Sequence, residues 1–190
     1  MGAPSLSVIA HPFAAYAIRI AQKIRGSAPY HEVGMEAVIF IGIQGAGKTT
    51  FYRERLAQTH VRISLDVLKT RHREREVLRT CLAGRQSFVV DNTNVRVAER
   101  AVYIEAAKQA GYAVTGYFFD SAPRDALRRN AQRTGKEKIP PAGVFGTWKR
   151  LERPRIEEGF DQLWIVSRDD SDRFVVCAAT QEQPDGVSHG

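Results

Sequence analysis

Residues 42–49 read Gly-Ile-Gln-Gly-Ala-Gly-Lys-Thr, and they directly follow the apolar run Ala-Val-Ile-Phe-Ile at 37–41. A buried strand that leads into a glycine-rich turn and then a helix is the setting in which backbone N–H groups can wrap phosphate oxygens. The positive N-terminal end of the helix faces the same anion. This stretch predicts a nucleotide-phosphate loop in an α/β fold.

The residue types in this loop suit the binding of a nucleoside triphosphate. Glycines permit positive φ angles and a close approach of the backbone to phosphate. Lys48 can reach the β and γ phosphates as a point charge, and the hydroxyl of Thr49 can ligate Mg²⁺. We expect ATP with Mg²⁺, and the predicted ATP-binding residues here are Gly42, Gln44, Gly45, Ala46, Gly47, Lys48, Thr49 and Thr50.

The length and composition suit one α/β domain with a well-buried core. Lysine and arginine number 28 against 21 aspartate and glutamate, and the net charge of +7 favours a polyanionic partner such as nucleic acid. The chain has 2 cysteines, far apart and without ligand spacing, so we expect a reducing, cytoplasmic compartment. Charged residues interrupt the apolar segment 6–25, so no membrane span is expected.

Three regions are expected along the chain. No acidic residue precedes Glu32, so residues 1–34 could be a transit peptide, an amphipathic arm, or codons translated upstream of a start at Met35. We interpret them as an accessory N-terminal extension. Residues 35–168 are predicted to form the P-loop kinase domain, and 169–190 an edge strand followed by a flexible tail.

Strand patterns alternate with helical patterns, which predicts a three-layer sandwich: a mainly parallel sheet with helices on both faces. The predicted strands are 37–41, 61–64, 87–90, 112–119 and 163–166, with an edge strand at 174–177. The main predicted helices are 48–57, 67–82, 95–110 and 121–131. Asn94 and Ser121 are predicted to cap the third and fourth of these helices.

Aspartates stand at or just after three predicted strand ends, namely Asp66, Asp91 and Asp120. Because ligands in open α/β sheets bind beyond the carboxyl ends of the strands, these carboxylates should line the cleft beside the loop. Asp91 occupies a Walker B-like position, so Thr49 and Asp91 are the predicted Mg²⁺ ligands. Asp66 is the candidate to accept the proton of an attacking hydroxyl.

A basic stretch follows the fourth strand, with Arg129 and Arg133 four residues apart on one helical face. Guanidinium forks at this spacing could close over the β and γ phosphates and stabilise the charge of the transition state. We therefore predict a lid in which Arg129 and Arg133 bind the donor nucleotide and Arg133 acts in catalysis. Lys48 and Asp66 complete the predicted catalytic set.

The motifs together resemble the kinase module of the polynucleotide 5′-hydroxyl kinase family, over roughly 35–166. The similarity rests on the phosphate loop, on Asp66 with a basic residue three later, and on Asp91-Asn92-Thr93-Asn94. It also rests on 118–120, Phe-Phe-Asp, on Arg129-Asn130-x-x-Arg133, and on the later pattern at 154–160.

The resemblance implies roles by position. Asp66 would be the general base for the acceptor 5′-hydroxyl, and Asp91 would serve the metal and the acceptor side. The family usually has arginine three residues after the base, where Lys69 stands here with Arg71 close by. The predicted acceptor-binding residues are Asp66, Lys69, Arg71, Asp91 and Asn94.

Two other functions compete with a kinase of DNA or RNA ends. One is a kinase of the same fold that phosphorylates a small-molecule hydroxyl, on a nucleoside, a sugar or an antibiotic, as zeta-toxin-like proteins do. The other is a regulatory ATPase or binding module. Asn92 stands where many motor ATPases have a second acidic residue, which disfavours hydrolysis as the main reaction. An Asn-Lys-x-Asp motif is absent from the sequence, which argues against a signalling GTPase.

Overall fold

The computed structural model of the protein describes residues 34–132 and 138–179. Within this part of the chain lies one six-stranded sheet. Its strands are β1 (Glu36–Ile41), β2 (Val61–Ile63), β3 (Phe88–Val90), β4 (Ala113–Phe119), β5 (Gln162–Arg168) and β6 (Phe174–Ala178). The predicted strands are confirmed, including the edge strand.

The strand order places the phosphate loop at the centre of the sheet. The order is β2-β3-β1-β4-β5-β6, with β1 to β5 parallel and β6 antiparallel to β5. The chain runs to one side of β1 for β2 and β3, and to the other side for β4 and β5. The carboxyl end of β1 is therefore the point where the topology switches, which is where open α/β sheets bind ligands.

Helices join the strands in the alternating pattern that the sequence predicts, and the fold is the expected α/β three-layer sandwich. The helices are α1 (Lys48–Arg55), α2 (Leu65–Leu68), α3 (Arg71–Ala83), α4 (Val97–Gln109), α5 (Pro123–Ala131) and α6 (Pro141–Lys149). A 3₁₀ turn covers Ile156–Glu158.

The prediction of one helix over 67–82 is wrong, because the chain turns between α2 and α3. Lys69 has a φ of 68°, in the left-handed region that ends a helix. Thr70 then begins α3, and its side chain accepts a hydrogen bond from the backbone N–H of Arg73. Asp66 therefore lies in the first turn of a separate short helix rather than at the end of β2.

Two predicted helix caps are also wrong. Arg96, not Asn94, precedes the first residue of α4. Ala122, not Ser121, precedes α5, which begins with Pro123. Proline suits the first helical position because its missing N–H would have no intrahelical partner there.

The core lies around β1, whose residues 37–41 are wholly buried. Phe51 from α1 packs edge-to-face on Phe40 and Phe119, with ring centroids 5.9 and 5.4 Å apart. Ile43 and Ala46 of the phosphate loop belong to the same buried cluster. The loop is thus an extension of the core. In the described residues, no helix has the length and apolar character required to cross a bilayer.

Candidate nucleotide-binding and phosphoryl-transfer site

The phosphate loop packs directly against α5. Gly45 has a φ of 79°, and a Cβ atom at this position would stand 2.4 Å from the backbone oxygen of Ala126. Only glycine fits this backbone and this contact. The start of the loop is fixed by the N–H of Gly42, which donates to the carbonyl of Thr93 at 2.9 Å. The loop is therefore held on two sides.

Lys48 lies buried at the start of α1, and its ammonium group lies inside the curve of the loop. Its Nζ donates to the carbonyl oxygens of Gly42 at 2.8 Å and Ile43 at 2.7 Å. Because these acceptors are neutral, a phosphate group would be a stronger partner for the ammonium. The predicted phosphate-binding lysine thus lies within the predicted loop.

Thr49 and Asp91 meet beside the loop. The Thr49 hydroxyl donates to Oδ2 of Asp91 at 3.0 Å, although the two residues come from α1 and from the end of β3. A hydroxyl and a carboxylate are oxygen ligands of the kind that Mg²⁺ prefers, with water and phosphate oxygens completing the shell. This pair therefore fits the metal that the sequence predicts.

Arg62 of β2 binds the same two side chains. Its Nη2 lies 2.6 Å from Oδ2 of Asp91, and the same nitrogen donates to the Thr49 hydroxyl at 3.1 Å. The side chain of Asp91 is 2% exposed, so this guanidinium neutralises a carboxylate that would otherwise be buried without a counter-charge. The guanidinium of Arg62 thus already binds Asp91, one of the two predicted metal ligands.

The remaining loop residues differ in exposure. Ala46 is buried and lines a small pocket together with Ser121, Arg129 and Phe174. Gln44 is half-buried, and its Oε1 makes no hydrogen bond to the protein. Thr50 is exposed on α1. The pocket beside Ala46 lies at the ends of β4 and β5, where the nucleoside part of a bound nucleotide would extend from the loop.

Asp66 is exposed in the first turn of α2. The phosphate loop, Asp66 and Asp91 follow the neighbouring parallel strands β1, β2 and β3, so all lie at one edge of the sheet. The ammonium of Lys69 donates to the backbone carbonyl of Asp66. The carboxylate is therefore open to an acceptor from solvent.

Arg71 begins α3 near this edge. Its Nη1 donates to Oε2 of Glu74 at 2.7 Å and to the hydroxyl of Tyr103 at 2.9 Å. Partial burial disfavours its charge, but the bonds to Glu74 and Tyr103 outweigh this and raise its pKa. More than half of the side chain is exposed, so the guanidinium can also meet an acceptor phosphate.

Asn94, predicted to bind the acceptor, lies in the core instead. It is 3% exposed, and its amide donates to the carbonyl of Phe40 at 2.8 Å. Its φ of 46° is a conformation that asparagine tolerates better than most residues. The side chain ties the end of β1 to the segment that follows β3, so its contacts are structural.

Of the two predicted lid arginines, Arg129 lies on α5 and touches the loop. Its Nε donates to the carbonyl of Gly45 at 2.8 Å. Burial, followed by repulsion from Arg168, lowers the pKa of this guanidinium, so an added anion would relieve an unfavourable charge. Arg133 lies outside the described residues.

Asn130, in the last turn of α5, is bonded to Ile139, which precedes α6. Its Nδ2 donates to the carbonyl of Ile139 at 2.6 Å, and its Oδ1 accepts from the N–H of Ile139 at 3.1 Å. The amide is 2% exposed. This bidentate pairing sets where the chain leaves α5 and where it returns to α6.

Sequence reasoning missed Arg62 and Glu74. A charged residue at the middle of the short apolar strand 61–63 is itself a signal, because such a residue must find a counter-charge. Glu74 shares the buried side of α3 with Leu78 and Cys81, at helical spacing. The many other charges of that helix conceal this spacing.

Comparison with known proteins found one matching family and similar curated proteins. Residues 69–154 match a family described as an AAA domain. A bifunctional polynucleotide phosphatase/kinase from Schizosaccharomyces pombe is 28% identical over 144 residues, covering 72% of this chain and 35% of that protein. Over this stretch the chain is similar to a polynucleotide phosphatase/kinase. The predicted resemblance is confirmed.

A second relative is a putative bifunctional polynucleotide phosphatase/kinase from Acanthamoeba polyphaga mimivirus. It is 27% identical over 139 residues, which are 70% of this chain and 33% of that protein. The chain thus spans about a third of the length of the curated relatives that it matches.

Solved structures agree with the α/β three-layer fold. The chain aligns with a structure of the PezAT toxin-antitoxin system of Streptococcus pneumoniae with a TM-score of 0.59 and 14% identity, over 92% of this chain and 82% of that one. It aligns with a gluconokinase from Sinorhizobium meliloti 1021 with a TM-score of 0.50 and 19% identity, over 70% and 82%. At these identities the likeness concerns the fold alone.

Proposed function

We propose that this protein is an ATP-dependent kinase that transfers the γ-phosphate to the 5′-hydroxyl end of DNA or RNA. The observation that carries the proposal is the arrangement of residues at the carboxyl ends of β1, β2 and β3. The phosphate loop lies at the switch point, Thr49 and Asp91 are in contact beside it, and the exposed Asp66 follows the strand next to β3. Likeness to polynucleotide phosphatase/kinases supports a nucleic-acid acceptor.

The donor side would act by positioning and charge. Backbone amides of residues 42–49 would hold the phosphates, and the ammonium of Lys48 would exchange its carbonyl partners for phosphate oxygens. Thr49 and Asp91 are the residues that would hold Mg²⁺, which when bound neutralises phosphate charge. Arg129 and Arg133 would stabilise the charge that spreads over the transferred group.

The acceptor side would need a base and a phosphate contact. Asp66 would take the proton of the 5′-hydroxyl as its oxygen attacks the γ-phosphorus and the bond to the bridging oxygen of ADP breaks. Lys69 and Arg71 would hold the phosphate next to the terminal nucleoside. An exposed base suits the end of a polymer, and the net charge of +7 favours a polyanion.

A kinase of a small-molecule hydroxyl remains the second candidate, because the fold is shared with a gluconokinase. The donor site and the base would be the same in both enzymes. Only the acceptor distinguishes them, so the deciding test must vary the acceptor. A regulatory ATPase would instead hydrolyse ATP with no acceptor present.

The test is transfer of labelled γ-phosphate from ATP to 5′-hydroxyl oligonucleotides, beside nucleosides, gluconate and an antibiotic panel. We expect label on the oligonucleotide, and none on the same oligonucleotide with a 5′-phosphate. Label on a small molecule alone would establish the second candidate. Hydrolysis equal with and without acceptor would establish the regulatory ATPase.

The test of Asp66 as the base compares a variant of Asp66 with a matched control variant. We expect Asp66→Asn to keep ATP affinity while transfer falls by at least about 100-fold, the usual contribution of a general base. Asp161→Asn removes an exposed carboxylate at the opposite edge of the sheet and should leave turnover intact. Equal turnover in both variants would remove Asp66 as the base.

A further inference from the structure

The amide of Asn92 connects the helix that carries Asp66 to the interior of the protein. Its Oδ1 accepts the backbone N–H of Leu65 at 2.9 Å, and its Nδ2 donates to Oε1 of Glu74 at 2.5 Å. Leu65 is the first residue of α2 and directly precedes Asp66. Asn92 therefore caps this helix from another element.

Glu74 holds Asn92 in a fixed orientation. The residue is 2% exposed, so its carboxylate must find its partners inside the protein. Oε1 accepts from Asn92 and from the hydroxyl of Tyr103 at 2.9 Å, and Oε2 accepts from Arg71 at 2.7 Å. Both oxygens are engaged. The donors come from the end of β3, from α4 and from α3.

Tyr103 keeps its proton in this network. Burial, together with the charge of Glu74, raises the pKa of Tyr103 to about 12. The hydroxyl therefore remains a donor to Glu74 at any pH near neutrality. Glu74 can only accept a hydrogen bond from Asn92, so the NH₂ group of the amide must face Glu74. The oxygen of the amide then faces the N–H of Leu65.

The helix α2 depends on this external cap. It has four residues, too few to be stable alone. Ser64 precedes it without making a side-chain cap, and the buried Leu68 anchors its last residue. Among the side-chain contacts described, the bond from Asn92 is the one that ties the first residue of α2 to another element.

We propose that Asn92, oriented by Glu74, is a positioning residue that sets the place of the Asp66 carboxylate. The inference rests on the proposed function, because the role of Asp66 as base belongs to it. Asn92 touches neither donor nor acceptor in this account. It acts through the backbone of Leu65, and a displacement of about 1 Å at a reacting group can cost about 100-fold in rate.

The first test is turnover of Asn92→Ala with a 5′-hydroxyl oligonucleotide. We expect kcat to fall by about 100-fold, while the Kd for a fluorescent ATP analogue stays within about twofold. Asn92→Ser, whose side chain is too short to bridge both partners, replaces it if the alanine variant does not fold. Glu74→Gln, which keeps a side chain of the same shape, should lose less activity than Glu74→Ala.

The matched control is Glu36→Gln, because Glu36 is a half-buried carboxylate in a similar network at the opposite edge of the sheet. Loss of the Glu36 carboxylate should lower the free energy of unfolding and leave kcat unchanged. A kcat for Asn92→Ala within threefold of the control would overturn the proposal. An equal loss in ATP affinity would also overturn it, because the effect would then not be confined to the base.

A second measurement separates this inference from the proposed function. Hydrogen exchange of the amides of 65–68 should be about fivefold faster in Asn92→Ala, the size expected for a lost helix cap. Unchanged exchange would show that Asn92 does not hold α2. If the wild-type protein labels no oligonucleotide end, the proposed function fails, yet the exchange result still decides whether Asn92 positions Asp66.

Discussion

Nη2 of Arg62 lies 2.6 Å from Oδ2 of Asp91, the same oxygen that accepts the Thr49 hydroxyl. Thr49 and Asp91 are the residues predicted to hold Mg²⁺. A guanidinium and a divalent cation cannot both be in direct contact with one carboxylate oxygen without strong repulsion. Arg62 and a directly bound metal ion are therefore competitors for Asp91.

Arg62→Gln should lower the Mg²⁺ concentration needed for nucleotide binding. The same change should reduce the free energy of unfolding by about 3 kcal/mol, since the buried side chain of Asp91 loses its ion-pair partner. Nucleotide binding titrated with Mg²⁺ and urea unfolding measure the two effects. Arg79→Gln, in an exposed ion pair with Glu76, should change stability by less than about 0.5 kcal/mol. A higher Mg²⁺ requirement in Arg62→Gln would mean that Arg62 assists the metal.

Gly45→Ala should abolish nucleotide binding and lower the melting temperature. The added Cβ would stand 2.4 Å from the backbone oxygen of Ala126, and the φ of 79° is strained for alanine. Gly146→Ala is the matched control, because no atom lies within 4 Å of its added Cβ and its φ is not positive. We expect the control to bind nucleotide normally. Normal nucleotide binding by Gly45→Ala would contradict the packing of the loop on α5.

Glu36 should give the protein an acid-sensitive part of its stability. The hydrogen bond from His60 holds the pKa of Glu36 below its ordinary value, and a bond from Thr115 adds to this. The stabilisation is complete above the unfolded pKa and is lost as the pH falls through the lower folded pKa. Urea unfolding from pH 7 to pH 3 should therefore show a smaller loss in Glu36→Gln than in wild type. Parallel curves would show that Glu36 contributes nothing.

Asn130→Ala should weaken use of ATP and destabilise the protein. Both polar backbone groups of Ile139 lose their partner, at a cost of about 1–3 kcal/mol in the free energy of unfolding. We expect kcat/KM for ATP to fall by about tenfold, because Arg133 stands between Asn130 and Ile139 in the sequence. The exposed Gln132→Ala serves as control. An unchanged kcat/KM with lowered stability would restrict Asn130 to a structural role.

The sheet and the phosphate loop could be predicted because each depends on local patterns. The apolar run before Gly42 and the glycines themselves determine a strand, a turn and a helix start over adjacent residues. The end of β3 at Asp91 was predictable for the same reason. These features need no knowledge of which strands become neighbours.

The contacts across elements could not be predicted in this way. Arg62 meets Asp91 only because β2 and β3 are neighbours in the sheet, and Asn92 meets Leu65 for the same reason. The turn at Lys69 was missed because its left-handed φ has no strong sequence signal in lysine. The sequence predicted Asn94 as a helix cap, but its amide instead donates a hydrogen bond to the carbonyl of Phe40.

The short helix α2 differs from the donor site in the kind of contacts that hold it. Backbone packing at Gly45 and Gly42 fastens the phosphate loop, whereas side chains hold residues 65–68: the amide of Asn92, the ammonium of Lys69 and the buried Leu68. Protein engineers could therefore exchange residues 65–70 for the matching stretch of another kinase with little risk to nucleotide affinity. Acceptor choice in this scaffold should be open to directed evolution through that six-residue stretch together with the neighbouring Arg71.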